Sequence, residues 1–339
     1  MAVIKDVAKK ANVSISTVSK YFNNPSALSE PYKSRVAAVV KELNYTPSTL
    51  ARSLRTKQIG TVALVVPDIT NTYYVEVYNA VRSELISHDI MTQLYTIEEN
   101  SNILNNLLNR LTPSHVDGLI LCFLDEDNLL ATLNEVQSNM PITLLSWDMN
   151  SPFNAVVIDL HAAFFEATNY IISLGHTKIA YASGPANSRI SEEKASGYHR
   201  AMASHNLPIP DFYIYEGLHV FRNGYLAAEQ FMRSPDPPTA IVCANDMIAV
   251  GCCKYLTAQN YKIPQDVAVI GMDGAQPSLI YDPPITTMVQ PIAEMCQEAV
   301  KILLDKFERP ASKNRKCLLR AKLEIRRSTD LNAPLYIDF

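Results

Sequence analysis

After residue 58 the chain repeats one pattern, in which a short apolar run is followed by a longer stretch with helical periodicity. Eight such runs fall at residues 61–66, 91–96, 118–122, 142–145, 178–183, 212–215, 240–242 and 267–270. Short, continuous apolar runs are typical of strands that are buried on both faces, and the intervening helices favour parallel neighbours. The sequence therefore predicts an α/β fold with two doubly wound parallel sheets, arranged as two lobes with a cleft between them.

Polar and aromatic residues follow several of these predicted strands. Ligands of doubly wound sheets bind beyond the carboxyl ends of the strands, so we expect these loops to line the cleft. Aromatic faces pack against C–H groups, and amide or carboxylate oxygens accept hydrogen bonds from hydroxyls, which suits a polyhydroxylated ligand. The candidates in these loops are Tyr73, Tyr74, Ser146, Trp147, Asp148, Phe221, Asn245 and Asp273.

Structural alternatives stay open for part of this set. The two tyrosines and the phenylalanine could simply anchor their loops in the core. Asn245 and the neighbouring Asp246 could cap a helix that begins at Met247. For Asp273, which directly follows a predicted buried strand, we favour a ligand contact.

The segment 4–23, IKDVAKKANVSISTVSKYFN, has a different pattern. The apolar residues of its first part recur at helical spacing, namely Ile4, Val7, Ala8 and Ala11. Asn12 then suits a turn at positive φ. Ser14 is a candidate N-cap for a second helix, which would turn Val18 and Phe22 inward. The sequence therefore predicts two short helices joined by a tight turn.

Two helices joined in this way form the helix-turn-helix, whose second helix enters the DNA major groove. A third helix, which Ser29 can cap, would close the small core with Val36, Val39, Val40 and Leu43. The outward face is hydroxylic and basic, and such side chains can contact phosphates and base edges. The DNA-facing candidates are Ile4, Ser14, Ile15, Ser16, Thr17, Ser19, Lys20 and Asn23. The alternative is an ordinary surface helical hairpin.

Charge is distributed unevenly along the chain. Residues 1–57 contain ten Lys and Arg residues but three acidic residues, so their net charge is +7, whereas the remainder carries −11. A basic head on an acidic body indicates that the head alone meets polyanions.

Other classes of protein lack support in the sequence. No apolar run is long enough to cross a membrane, and the N-terminus lacks the apolar segment of a signal peptide. The six cysteines show no C-x-x-C pair and no zinc-type spacing, which favours free thiols in a reducing cytoplasm. Glycine-rich nucleotide loops, H-E-x-x-H and G-x-S-x-G are missing as well. We therefore expect a cytoplasmic protein that is not an enzyme, with no catalytic residues, cofactor or metal.

Several motifs together resemble the lac/gal repressor (LacI/GalR) family of bacterial transcriptional regulators. The resembling runs are IKDVAKKANVSISTVSKYFNN, LNYTPSTLARSLRTKQIGTVALVVPDITNTYY, GHTKIAYASGP, ANDMIAVG and IPQDVAVIGMDG. They span nearly the whole chain in the family's order. The resemblance implies a helix-turn-helix DNA-binding domain at residues 1–46, a hinge helix or linker at 47–57, and an effector-binding and dimerisation domain at 58–339.

The effector domain of this family resembles the two-lobed periplasmic sugar-binding proteins. The resemblance implies that the chain crosses between the lobes near residues 160, 290 and 320. The expected N-subdomain therefore contains residues of about 58–160 and 290–320. The expected C-subdomain contains about 161–289 and 321–339.

The segment PSTLARSLRT at residues 47–56 is the expected hinge. Pro47 suits a helix start, but a helix this short is not stable alone. In the family the hinge folds on DNA, pairs with its dimer mate and levers a leucine into the minor groove, where apolar wedges kink the duplex. The hinge candidates for DNA contact are Ser48, Ala51, Arg52, Leu54 and Arg55. The alternative is a passive linker.

Four positions depart from the family's usual pattern. Asn12 replaces a common turn glycine, and Lys20 stands where arginine is frequent, so the bidentate contact to guanine is lost. Lys194 replaces an arginine that often clamps the effector, and Gly274 replaces an acidic or amide residue. Either Lys194 makes single contacts, or Arg189 takes over, or the effector is unusual.

These observations favour a repressor of a carbohydrate-utilisation operon. The expected partners are operator double-stranded DNA with a pseudo-palindromic sequence, a small-molecule effector of the sugar class, and a second copy of the chain. The sequence has no C-terminal leucine heptad, so we expect a dimer rather than a tetramer. The alternatives are a non-sugar effector, such as a nucleobase, sugar phosphate or amino acid, or a protein co-regulator. A solute-binding receptor without DNA function is the alternative of a different class.

Overall fold

The computed structural model describes residues 2–45, 59–97, 101–111, 113, 115–122, 130–146, 148–186 and 188–334. The chain divides into two compact units, Met1–Gly60 and Thr61–Phe339. Some of the predicted contact residues lie outside the described residues, namely Ser48, Ala51, Arg52, Leu54, Arg55 and Trp147.

The first unit is a small helical domain. It contains α1 (Ile4–Lys10), α2 (Ile15–Asn23), a 3₁₀ turn (Pro25–Ala27) and α3 (Glu30–Glu42). Apolar residues from all three helices close one core, as the spacing predicts, and its buried members are Val7, Ala8, Ala11, Val18, Val36 and Val39. Phe22, Val40 and Leu43 are partly buried against it.

The turn between α1 and α2 confirms two predictions. Asn12 has φ +49°, and the Ser14 hydroxyl accepts a hydrogen bond from the Thr17 amide at 3.1 Å. The prediction for Ser29 is only partly right. Ser29 occupies the N-cap position of α3, but its side chain accepts no capping hydrogen bond. Pro31 near the start of α3 lacks an N–H, so the helix offers one donor fewer to a cap.

The second unit alternates strands and helices. Its strands are β1 (Thr61–Val66), β2 (Met91–Thr96), β3 (Gly118–Cys122), β4 (Ile142–Ser146), β5 (Asn154–Ile158), β6 (Ile179–Ala182), β7 (Ile214–Tyr215), β8 (Ala240–Cys243), β9 (Ala268–Asp273), β10 (Thr286–Val289), β11 (Lys316–Leu319) and β12 (Lys322–Glu324). Its helices are α4 (Thr72–Ser87), α5 (Ser101–Arg110), α6 (Leu130–Asn139), α7 (Leu160–Ser173), α8 (Arg189–Ser204), α9 (Phe221–Met232), α10 (Asp246–Ala258), α11 (Gln276–Ile280) and α12 (Ile292–Glu308).

These strands form two six-stranded sheets. The first sheet has the order β11-β5-β4-β3-β1-β2, and the second has the order β12-β10-β9-β8-β6-β7. All neighbours in the first sheet are parallel. In the second sheet β12 runs antiparallel to β10, which corrects the expectation of a purely parallel sheet at that edge. The chain passes from the first sheet to the second between β5 and β6, returns after β10, and passes over again between β11 and β12.

The sequence predicts eight of the twelve described strands and misses four. β3, β4 and β5 are buried along their whole length. The missed strands are β5, β10, β11 and β12. In β10, two threonines interrupt the apolar pattern although both are fully buried, because the Thr286 hydroxyl donates to the Arg326 carbonyl at 2.9 Å. The predicted strand at 212–215 begins as a 3₁₀ turn and pairs only at Ile214–Tyr215.

The part of the chain that the structure describes shows neither a membrane-spanning helix nor a cluster of metal ligands. None of its helices combines the length and apolar character needed to cross a bilayer. In the same residues, no group of three or more His, Cys, Asp or Glu side chains is arranged to hold a metal ion.

Candidate functional sites

The outward face of α2 presents a small polar surface. Ile15 is 45% exposed, and Ser16 and Lys20 are exposed beside it. The Ser14 hydroxyl lies 2.6 Å from that of Ser16 and 2.8 Å from that of Thr17. The three hydroxyls therefore hold one another in place at the N-terminus of α2, where recognition helices contact base edges.

The remaining candidates of the head have mixed positions. Ile4 is partly buried against the head core, Ser19 is partly exposed, and Asn23 is the last residue of α2. The head therefore places the hydroxyls and Lys20 on one helix, whereas Ile4 contributes to packing. DNA contact by these residues stays a prediction.

In the second unit, a hydrogen-bonded chain connects residues that follow strands of both sheets. The Tyr73 hydroxyl donates to Gln290 Oε1 at 3.0 Å, and Gln290 Nε2 donates to Asp273 Oδ1 at 2.8 Å. Tyr73 lies in α4 beyond β1, Gln290 directly follows β10, and Asp273 ends β9. All three side chains are buried. The arrangement therefore joins the two lobes at the carboxyl ends of their strands.

Asp273 is a buried carboxyl group, only 6% exposed. Burial raises the pKa of Asp273 to about 8, the positive charge of Lys194 opposes this rise, and the carboxyl group of Asp246 adds to it. A carboxyl group with such a pKa can accept or donate a hydrogen bond near neutral pH, which suits recognition of hydroxyl groups.

Lys194 is held inside the protein rather than extended into solvent. It is 6% exposed, its Nζ donates to the Ala244 carbonyl at 2.9 Å, and Nζ lies 5.9 Å from the centre of the Phe164 ring. Because the ammonium group is compact, it makes separate contacts and no planar clamp. Arg189, the other cation considered, is exposed at the first position of α8.

The loops that follow β1 and β4 contain other predicted residues. Tyr73 packs edge to face against Tyr74, with ring centres 5.2 Å apart. Ser146 is 2% exposed, and its hydroxyl accepts from the Asp148 amide at 3.2 Å. Asp148 in turn accepts from the Asn150 amide at 2.7 Å. The loop after β4 is therefore held by its own side chains.

Of the predicted residues that follow β7 and β8, Asn245 has a structural role, whereas Phe221 is exposed to solvent. Asn245 caps α10, because its Oδ1 accepts from the Ile248 amide at 2.8 Å, and its Nδ2 donates to the His219 carbonyl at 3.3 Å. The helix begins at Asp246, one residue before the predicted start. Phe221 begins α9 and is 39% exposed. The amide of Asn245 thus has protein partners for both of its atoms.

Sequence reasoning missed several polar residues near the same strand ends. Gln290 is one, and Glu76 is another, since it accepts from the Gln276 amide of the other lobe at 3.1 Å. The Ser191 hydroxyl is buried and has no hydrogen-bond partner among the described residues. A Cβ atom on Gly184 would lie 2.3 Å from His219 Nε2 and 2.5 Å from Ser191 Oγ. Ser191 lies three residues before Lys194, so the two residues share one face of a helix. That spacing could have identified Ser191 as a candidate from the sequence.

Comparison with known proteins gives two family matches. Residues 3–48 match the bacterial regulatory proteins of the lacI family. Residues 59–326 match the periplasmic binding proteins and sugar binding domain of the LacI family. The ribose operon repressor of Escherichia coli is 33% identical over 314 residues, covering 91% of this chain and 94% of the relative. The repressor PurR of Photobacterium profundum is 31% identical over 334 residues, covering 98% and 100%.

Solved structures agree with these matches. The lac repressor dimer bound to operator and the anti-inducer ONPF is 26% identical, with a TM-score of 0.86 and coverage of 97% of this chain and 99% of that chain. A LacI family regulator from Enterococcus faecium with bound ribose is 26% identical, with a TM-score of 0.69 and coverage of 81% and 100%. The chain belongs to the LacI family of bacterial transcriptional regulators, with a helix-turn-helix head and a two-lobed effector-binding domain.

Proposed function

We propose that this protein is a transcriptional repressor whose affinity for operator DNA is controlled by a neutral, sugar-like molecule in the cleft between the two lobes. The observation that carries the proposal is the buried chain from Tyr73 through Gln290 to Asp273. A polar connection at the strand ends of both lobes is where a ligand can alter the contact between them. The relatives are named as repressors, which supports regulation rather than catalysis.

The charges around the strand ends favour an uncharged, hydroxyl-rich effector. Lys194 Nζ donates to a backbone carbonyl, and its positive charge lowers the pKa of Asp273. Glu76 adds a second carboxyl group near Asp273 at these strand ends. A phosphate group there would meet carboxyl groups, whereas hydroxyl groups can bond to carboxylates, amides and tyrosines.

Control by the effector follows from linkage. A ligand shifts DNA affinity only as far as it binds one lobe arrangement better than the other. We infer that the hinge at residues 47–57 transmits this preference, and that two copies of the chain bind one pseudo-palindromic operator in the cytoplasm. The lac repressor structure, described as a dimer bound to operator, supports the dimeric arrangement.

A thermal-shift panel tests the effector class. The panel contains D-ribose, cellobiose and other neutral sugars, matched sugar phosphates, nucleobases and amino acids. We expect a neutral sugar to raise the unfolding temperature, because a ligand at 100 times its Kd stabilises by about 2.7 kcal/mol. Ribose and cellobiose are included in the panel because structural neighbours are described with these sugars bound.

Each outcome of the panel discriminates between alternatives. A shift with a sugar phosphate but not with its neutral sugar would overturn the proposed class. A nucleobase or amino-acid hit would place the effector outside the sugars. No shift with any compound would favour control by a protein partner. The variant Ser191→Ala tests where a hit binds. It should weaken the binding of that compound without unfolding the lobe.

A further inference from the structure

The turn that contains Asp273 has an unusual backbone. Asp273 has φ +122° and Gly274 has φ +77°. Side-chain-bearing residues seldom adopt positive φ, and such conformations persist only where neighbouring structure fixes them. The glycine at 274 fits its own conformation, since a Cβ atom there would also approach Val289 Cγ1 to 2.8 Å. Asp273 therefore needs an external restraint.

Two buried side chains supply hydrogen bonds to this turn. Asp246 Oδ2 accepts from the Ala275 amide at 2.8 Å. Thr287 Oγ1 donates to Asp246 Oδ1 at 2.7 Å and lies 3.4 Å from the Gly274 amide, from which it accepts. The amides of Gly274 and Ala275 thus donate hydrogen bonds to two side chains that are bonded to each other. Both of these side chains are fully buried.

Asp246 does not cap its own helix. The sequence left open that it caps a helix, but Asn245 is the N-cap of α10 and Asp246 is already inside the helix. A Cβ atom at Gly271 would lie 2.2 Å from Asp246 Oδ1, so the strand leaves room for this carboxyl group. Burial raises the pKa of Asp246 to about 7. The hydrogen bonds from Thr287, the Ala275 amide and Ser278, together with the positive charge of Arg326, oppose this rise. The carboxyl group is therefore fixed in place by contacts from later parts of the chain.

We propose that Asp246 and Thr287 are positioning residues of the effector site, which hold the turn 273–275 so that Asp273 meets both the ligand and Gln290. The ligand part rests on the proposed function, because it takes Asp273 as an effector contact. Through Gln290 the same restraint reaches Tyr73 on the other lobe. Loss of the pair would release the turn without removing any group that touches the ligand.

Hydrogen exchange of the full-length protein, without ligand, tests the restraint. We expect Thr287→Val to speed exchange of the Gly274 and Ala275 amides by at least about tenfold relative to the unchanged protein, because their acceptors are lost or loosened. Thr287→Ser keeps the hydroxyl and should restore slow exchange. Asp246→Asn should give an intermediate rate. The β6 peptide Ile179–Ala182 is the internal control and should not change.

Two results would overturn the proposal. One is slow exchange at both amides in Thr287→Val; the other is equal acceleration in the β6 peptide, which would mean general destabilisation.

A binding experiment uses D-ribose at pH 8 with Asp246→Asn alone and combined with Asp273→Asn. Asp246→Asn should weaken binding about tenfold alone but add little to Asp273→Asn, since it acts through that residue. If D-ribose does not bind the unchanged protein, the ligand part of the proposal is overturned, and the exchange result still decides on the restraint.

Discussion

We expect Asp273→Asn to abolish most of the response to the effector while stabilising the protein that has no ligand. At pH 8.5, where Asp273 is largely ionised, its carboxylate is a stronger acceptor for ligand hydroxyls than an amide, and hydrogen bonds to charged groups are worth about 1.5–3 kcal/mol. We therefore expect effector affinity to fall about 10- to 100-fold. Asparagine still offers an oxygen to Gln290 Nε2, so the contact with Tyr73 through Gln290 can persist.

The stability gain of Asp273→Asn depends on pH. Burial raises the pKa of Asp273 from an ordinary 3.8 to about 8. Between these values the folded state holds a proton that the unfolded state has released, so stability of the unchanged protein falls as pH rises. The variant lacks this titration. Its advantage should be small near pH 4, grow up to about pH 8, and exceed about 1.4 kcal/mol there, the equivalent of one pKa unit.

Urea unfolding at pH 5, 7 and 8.5 measures this gain. Asp211→Asn is the matched control, because it removes a carboxyl group that is exposed on the surface and lies outside the buried site. A constant difference across pH for Asp273→Asn would contradict the burial of an ionisable group at this position. Unchanged effector affinity would contradict its role as a contact.

Leu54→Ala should lower affinity for the selected operator on the order of 100-fold. Leu54 occupies the position from which, by family resemblance, a leucine enters the minor groove. Removing an apolar wedge leaves the cost of bending the DNA without the contact that offsets it. Fluorescence anisotropy with labelled operator and with a random duplex measures the specific and non-specific affinity separately.

Ser53→Ala in the same segment is the matched control for Leu54→Ala and should change operator affinity little. The unfolding temperature of the effector domain should be equal in both variants. An equal loss of affinity for operator and random DNA would make Leu54 a general contact. An equal loss of domain stability would make it a packing residue.

The head is the part that the sequence predicts best, because its determinants are local. Asn12 and Ser14 act within one turn of the chain, and helical spacing identifies Val7, Val18 and Val36 as core residues. Ser29 is less well predicted, since its effect depends on Pro31 and not on the cap residue alone.

The cleft is harder to predict, because its contacts join distant parts of the chain. Gln290 bonds to Tyr73 across 217 positions, and no local pattern marks that partnership. Asp246 looks like a helix cap in sequence, yet its partners are Ala275 and Thr287 from later strands and loops. Sequence spacing finds the strand ends where ligands bind, whereas the hydrogen-bond partners at those ends depend on tertiary structure.

Operator binding measured with and without the panel hit tests the central claim most directly. Selection from random duplexes with the full-length protein should return a symmetric site, and affinity for it should fall steeply with salt as counterions are released. Adding the neutral sugar at saturation should change that affinity by about 5- to 150-fold, the usual range of allosteric coupling. Operator affinity that stays the same with and without a bound effector would contradict a ligand-controlled repressor.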